Sequence, residues 1–184
     1  MEHLIAFPIL DPHRESLRRL MDDAAEVTGL SPPYLRLPPH VSARRPFSGV
    51  DEQALVRAIS LEVARAHQTR MTLAGSLFSF GTHYIVCPVQ TTLWAASLWA
   101  GILTRVAGLH GYTDGDNEYE GDNTLHVTVA AKTSRVFDTV WPVLKSVYVR
   151  PMTIPLRQVV LYRKLGSGSQ KQNWKKAATF AIPR

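Results

Sequence analysis

Two short segments constrain the fold of this chain more than any other feature: Pro39-His40-Val41-Ser42-Ala43 and Leu125-His126-Val127-Thr128-Val129. Each runs histidine, apolar residue, hydroxyl, apolar residue. In an extended strand successive side chains point to opposite faces, so residues i and i+2 share a face, roughly 6.5 to 7 Å apart. The pattern predicts two strands in which Val41 and Val127 turn into a core while each His and its hydroxyl turn out together. Seven His and many Ser and Thr make a chance match expected, and a third one, His67-Gln68-Thr69, is set aside. It falls at a helix end with a polar residue at its centre, where no alternation holds the side chains on one face.

The rest of the chain reads as strands and helices in two similar rounds. Residues 3–10 predict a strand, and Asp11-Pro12 a helix start of the N-cap and N1 kind. The helix carries Leu17, Leu20, Met21, Ala24 and Ala25 at three- and four-residue spacing and ends near Gly29. Pro32, Pro33, Pro38 and Pro39 force extended chain into 41–47. A second helix, 51–67, places Leu55, Ile59, Val63 and Ala66 on one face. Strands over 71–80 and 83–89 meet at a Gly81 turn, and an apolar helix follows over 91–108. The last third predicts a strand over 124–131, a helix over 134–148 interrupted near Pro142, a strand over 155–165 and a terminal strand over 177–182. Residues 166–170, Gly-Ser-Gly-Ser-Gln, have the composition of a flexible surface loop. The order repeats: strand or hairpin, helix, motif strand, helix, strand. That is a pseudo-duplicated α+β architecture in one two-lobed unit spanning 1–184.

Composition narrows the function. Of the 184 residues 45% are hydrophobic and 20% charged, a balance that argues against disorder. The longest apolar run, 93–103, falls short of the roughly 20 residues of a membrane span and predicts a buried helix. The start of the chain lacks a basic leader and cleavage site, so a cytoplasmic location is the default expectation. A net charge of +6 favours phosphate-bearing ligands without requiring them. The single cysteine, Cys87, sits in an apolar run and is expected to be a core residue.

With its paired motifs, the chain resembles the two-histidine phosphoesterase superfamily, which includes bacterial 2'-5' RNA ligase-like proteins and RNA 2',3'-cyclic phosphodiesterases. Pro39 just before the first His, the strand pair over 71–89, and the Leu161-Tyr162-Arg163 strand followed by a Trp174 segment add to the likeness. The resemblance implies a bilobal α+β fold, two antiparallel sheets flanking a central groove with helices outside. It implies that His40 and His126 are the catalytic imidazoles and that Ser42 and Thr128 donate to phosphate oxygens. The first motif has Ser42 where Thr is usual, which keeps the hydroxyl and loses a methyl. The implied activity is hydrolysis of a 2',3'-cyclic phosphate or a related 2'-5' or cyclic nucleotide linkage, with no metal and no cofactor. The alternative is a non-catalytic RNA or nucleotide-binding module on the same fold. No obligatory protein partner is evident.

The chemistry agrees with that residue set. Cleaving a phosphodiester requires a base for the nucleophile, an acid for the leaving oxygen, and donors for the charged oxygens. An imidazole of ordinary pKa about 6.5 serves as either base or acid near neutrality. Which His takes which role stays open. Arg44, four residues after His40 and on the same face, either meets a phosphate or a neighbouring nucleotide or is a solvated rim charge. Tyr162 and Trp174 are further substrate-contact candidates, Trp174 because Lys171, Lys175 and Lys176 surround it. Trp94, Trp99 and Trp141 are expected to be buried. The acidic segment 114–122 does not fit a calcium loop, since Tyr119 stands where glycine is needed. The other histidines lack zinc-site spacing.

Overall fold

A computed structural model describes residues 1–114, 125–165 and 173–183, with the backbone alone for Arg44, Arg45, Asp114 and Asn173. The acidic segment beyond Asp114 and the Gly-Ser loop lie outside the described residues.

The repeated order is present. The first round is β1 (His3–Pro8), α1 (His13–Thr28), β2 (His40–Ser48), α2 (Glu52–Val63) and β3 (Thr69–Ser76). After a short β4 (Phe78–Phe80), the second round is β5 (Tyr84–Thr91), α3 (Leu93–Ala107), β6 (Thr113–Asp114), β7 (His126–Ala131), α4 (Phe137–Leu144) and β8 (Tyr148–Leu156). Two more strands, β9 (Gln158–Leu165) and β10 (Asn173–Ala181), complete the chain. In each round the first strand pairs antiparallel with the motif strand: β1 with β2, and β5 with β7.

The rounds do not map one to a sheet. The first sheet has the order β10-β9-β1-β2-β6, and the second β4-β5-β3-β8 with β7 on the free side of β5. So β3, from the first round, lies in the second sheet, while β9 and β10 return to the first. All pairings are antiparallel, and one hydrophobic cluster, from Phe7 and Phe47 to Leu73, Ile85 and Val127, runs through both sheets.

The helices cover this core as their spacing predicts, with differences. In α1, Leu17, Met21 and Ala24 are buried, and Leu20 and Ala25 are at the margin. Asp11 does not cap α1; its carboxylate pairs with Arg14 instead. Asp51 does cap α2, accepting from the Ala54 N–H at 2.8 Å, and that helix stops at Val63 rather than at 67. The helix α3 is not buried all round. Ala95, Leu98, Ile102 and Val106 take the inner stripe, and Leu93 and Trp94 are left 79% and 58% exposed. A run with more apolar residues than one helical stripe holds must show some of them to solvent.

The last third departs most from expectation. The predicted helix over 134–148 is a 3-10 turn, Thr133–Arg135, followed by the eight-residue α4, and Tyr148 already begins β8. Pro151 and Pro155 disguise β8 as loop; it tolerates them because it is the edge strand of its sheet. The expected strand over 155–165 is therefore the end of β8 plus β9, with Arg157 between them where the chain changes sheets. The terminal strand begins at Asn173, earlier than expected.

Two glycines hold the far end of β2. Gly49 and Gly111 have φ of +82° and +78°, and a Cβ on either would collide with the other's carbonyl oxygen. Gly29 is also left-handed, at φ +68°, but has open space around it. Gly49→Ala and Gly111→Ala are each expected to cost on the order of 2 kcal/mol or more, and Gly29→Ala about 1 kcal/mol. Thermal unfolding of the three variants checks that ranking.

Candidate active site

The motif strands belong to different sheets, yet β2 and β7 approach each other with Cα atoms within 8 Å. On both, the alternation falls as the pattern requires. Val41, Ala43, Val127 and Val129 are buried in the common core, and His40, Ser42, His126 and Thr128 are half-buried on the opposite face.

Register gives each histidine the same neighbour. His40 lies opposite Pro8, and His126 opposite Pro88. One step along, the Ile9 N–H donates to the Pro39 carbonyl at 2.9 Å and the Val89 N–H to the Leu125 carbonyl at 3.0 Å. Those are the hydrogen-bonded positions of each ladder, so each His–Pro pair sits at a non-hydrogen-bonded one. There a proline's missing N–H costs nothing, and facing side chains come closest. The hydroxyls are also placed alike, with Ser42 opposite Ala6 and Thr128 opposite Val86.

His40 is further fixed by its Nδ1, 2.8 Å from the Pro38 carbonyl oxygen. A carbonyl only accepts, so Nδ1 carries the hydrogen and Nε2 of the neutral ring is left as an acceptor. Burial pushes the His40 imidazole below its ordinary value; the Pro38 bond opposes this, and the charge of a protonated His126 adds to it. The indole Nε1–H of Trp99, from α3, donates to the Ala43 carbonyl at 2.7 Å and ties down the middle of β2.

The other candidates are placed less uniformly. Tyr162 and Trp174 project from the same face of the first sheet as His40 and Ser42, in a small cluster with Leu4, Ala6, Val160 and Leu37. Tyr162 is buried, 6% exposed, and two strands away from β2; Trp174, on β10, is half-exposed. The side chain of Arg44 is outside what is described. Cys87 is buried opposite Val127, and burial raises its thiol to about 11, which fits a core residue. Among the described residues no three His, Cys, Asp or Glu side chains gather as metal ligands. Of the remaining histidines, His3 is buried beside Glu52 and His83 bonds Ser134. His67 packs edge-on against Trp94, which was expected to be buried.

The sequence reading missed one contact. Phe80, on β4, has its ring 4.7 Å from that of His126. Its only sequence signal was the spacing of Phe78 and Phe80, which puts two aromatics on one face of a strand.

A titration follows from the charge coupling. The imidazole of His40 is expected to protonate below the ordinary histidine range. In His126→Ala it should rise, while staying below that range because burial is the larger cause. Histidine proton resonances followed against pH check both; no upward movement in the variant would place the rings too far apart to interact.

No family profile matches the sequence, and no curated protein is similar to it. Solved structures do match over the whole length. TT0787 of Thermus thermophilus superposes with a TM-score of 0.66 at 15% identity, covering 99% of this chain and 98% of that one. LigT of Escherichia coli, complexed with 3'-AMP, gives 0.60 at 13% identity over 100% and 98%. Usb1 of Kluyveromyces marxianus gives 0.51 at 14% identity over 100% and 98%. The chain therefore has the α+β, LigT-like fold of these proteins, with two antiparallel sheets that each contribute one His-x-Ser/Thr strand.

Proposed function

We propose that this protein is a phosphodiesterase that hydrolyses a 2',3'-cyclic phosphate, or a related 2'-5' or cyclic nucleotide linkage, by general acid–base catalysis between His40 and His126. The observation that carries the reading is the approach of two motif strands from different sheets, each holding an imidazole beside its own hydroxyl on the half-buried face. The fold neighbours support the ligand class: LigT has been solved in complex with 3'-AMP, with phosphate and with ATP.

His40 is assigned as the base. Its Nδ1 is committed to the Pro38 carbonyl and burial keeps the ring neutral, so Nε2 offers a lone pair. Water attacks phosphorus and gives its proton to that nitrogen as the new P–O bond forms. The bond from phosphorus to the ester oxygen breaks, and His126, protonated at the outset, supplies the proton that the leaving oxygen needs. Ser42 and Thr128 donate to the two non-bridging oxygens, where negative charge builds up in the transition state. Exchange with solvent then returns His40 to neutral and His126 to its charged form. Neither step draws on a metal or cofactor. Trp174, half-exposed beside Lys175 and Lys176, is assigned to a nucleobase, with the buried Tyr162 as its support, and Arg44 to a phosphate.

Turnover of 2',3'-cyclic nucleotides in excess chelator tests this. Activity is expected to persist, and His40→Ala or His126→Ala to lower kcat by about 10²- to 10⁴-fold. Ser42→Thr should stay close to the parent rate while Ser42→Ala loses roughly tenfold or more. On the acid side kcat/KM should fall only once pH drops below the ordinary histidine range, because His40 must be protonated to stop working. A near-normal rate in either histidine variant would refute the roles. Tight RNA binding with no turnover of cyclic, 2'-5' or cyclic-dinucleotide substrates would favour a binding module instead.

A further inference from the structure

The ring of Phe80 meets that of His126 with centroids 4.7 Å apart and planes at 66°. Phe78 meets Phe80 in turn, edge-on, at 4.8 Å and 89°. Neither phenylalanine has a part in the acid–base scheme. We infer that Phe80, braced by Phe78, is a positioning residue that helps set the orientation of the His126 imidazole toward His40. The inference deepens the proposed function, and rests on it insofar as His126 is the group that delivers a proton.

The two rings come from a strand fixed independently of the site. β4 is three residues long and pairs with β5 through Phe78 opposite Val86 and Phe80 opposite Tyr84. Leu77, immediately before it, is buried, and its N–H donates to the Val147 carbonyl at 3.3 Å. The backbone that carries the aromatic pair is thus anchored on both sides, and the pair reaches His126 as a braced unit.

Each histidine has one contact that orients its ring, a carbonyl for His40 and an aromatic ring for His126. A carbonyl bonded to Nδ1 of His40 selects one tautomer, as a base requires. A ring packed edge to face constrains the plane of an imidazole without choosing the nitrogen that bears the proton. Such a contact also survives protonation, because an aromatic ring attracts a cation. His126, as the acid, loses and regains a proton in every turnover, and a clamp indifferent to that change keeps it aimed throughout.

The test combines a measurement on the parent protein with two variants. In the parent, a nuclear Overhauser effect is expected between the ring protons of Phe80 and those of His126. Phe80→Leu should shift the His126 ring resonances through loss of the aromatic ring current and leave those of His40 in place. With 2',3'-cyclic nucleotide as substrate it should lower kcat by roughly 10- to 100-fold, the scale of a misaligned catalytic group, with KM within about twofold. Phe80→Tyr, which keeps the ring, should recover kcat to within about threefold. The inference is overturned if the parent shows no ring–ring effect, if Phe80→Leu leaves kcat unchanged, or if KM rises while kcat stays put, which would make Phe80 a substrate contact. The ring–ring effect and the Phe80→Tyr comparison stand even if Phe80→Leu fails to fold. The resonance measurements need no substrate, so a parent protein without turnover would defeat the proposed activity and still leave the placement of His126 to be decided by them.

Discussion

The candidate site depends on strand register at two points: Pro8 opposite His40 and Pro88 opposite His126. Side chains alternate with a period of two, so a slip of one residue in either pairing would send the histidine into the core and a valine out to solvent. Several contacts resist that slip. Val41 and Val127 are at most 2% exposed, and reversing them would expose apolar surface while burying imidazoles that lack partners there. The prolines fit where no N–H is required, and the Trp99 bond to the Ala43 carbonyl fixes β2 from the helix behind it. The Gly49–Gly111 contact closes the far end of the same strand.

The exchange of strands between rounds gives the arrangement its stiffness. Because β3 pairs with β5 and β8 while β9 pairs with β1, neither sheet consists of one round alone. A shared core runs beneath both motif strands, so separating them would require exposing it. Ion pairs add ties at the surface: Glu62 on α2 engages Arg105 on α3, and the close approach is possible because residue 101 of α3 is glycine. The proposed acid and base would have to keep a fixed spacing to serve one phosphorus, and a core common to both strands supplies it.

Much of this was legible from residue order. The alternation around His40 and His126, the inner stripes of α1 and α2 and the core position of Cys87 all follow from local spacing. What spacing could not show was pairing between distant segments. The start of β8 went unread because proline at an edge strand looks like proline in a loop, and the helix expected over 134–148 ends at Leu144. The apolar run of α3 held more hydrophobic residues than one buried stripe, which left Leu93 and Trp94 outside. Tyr162 was a candidate substrate contact by resemblance and lies buried, packed in a cluster with Leu4, Val160 and Trp174. Phe80 was silent because its contact with His126 arises only when β4 folds back along β5.

The central claim is that His40, Ser42, His126 and Thr128 surround a single phosphorus atom. A crystal structure of the protein with a nucleoside 2',3'-cyclic vanadate, a mimic of the pentacoordinate transition state, tests it most directly. The account predicts the vanadium centre between the motif strands, with one imidazole on the attacking oxygen, the other on the leaving oxygen, and both hydroxyls on the remaining oxygens. A vanadate bound elsewhere, or one touching a single motif, would contradict it.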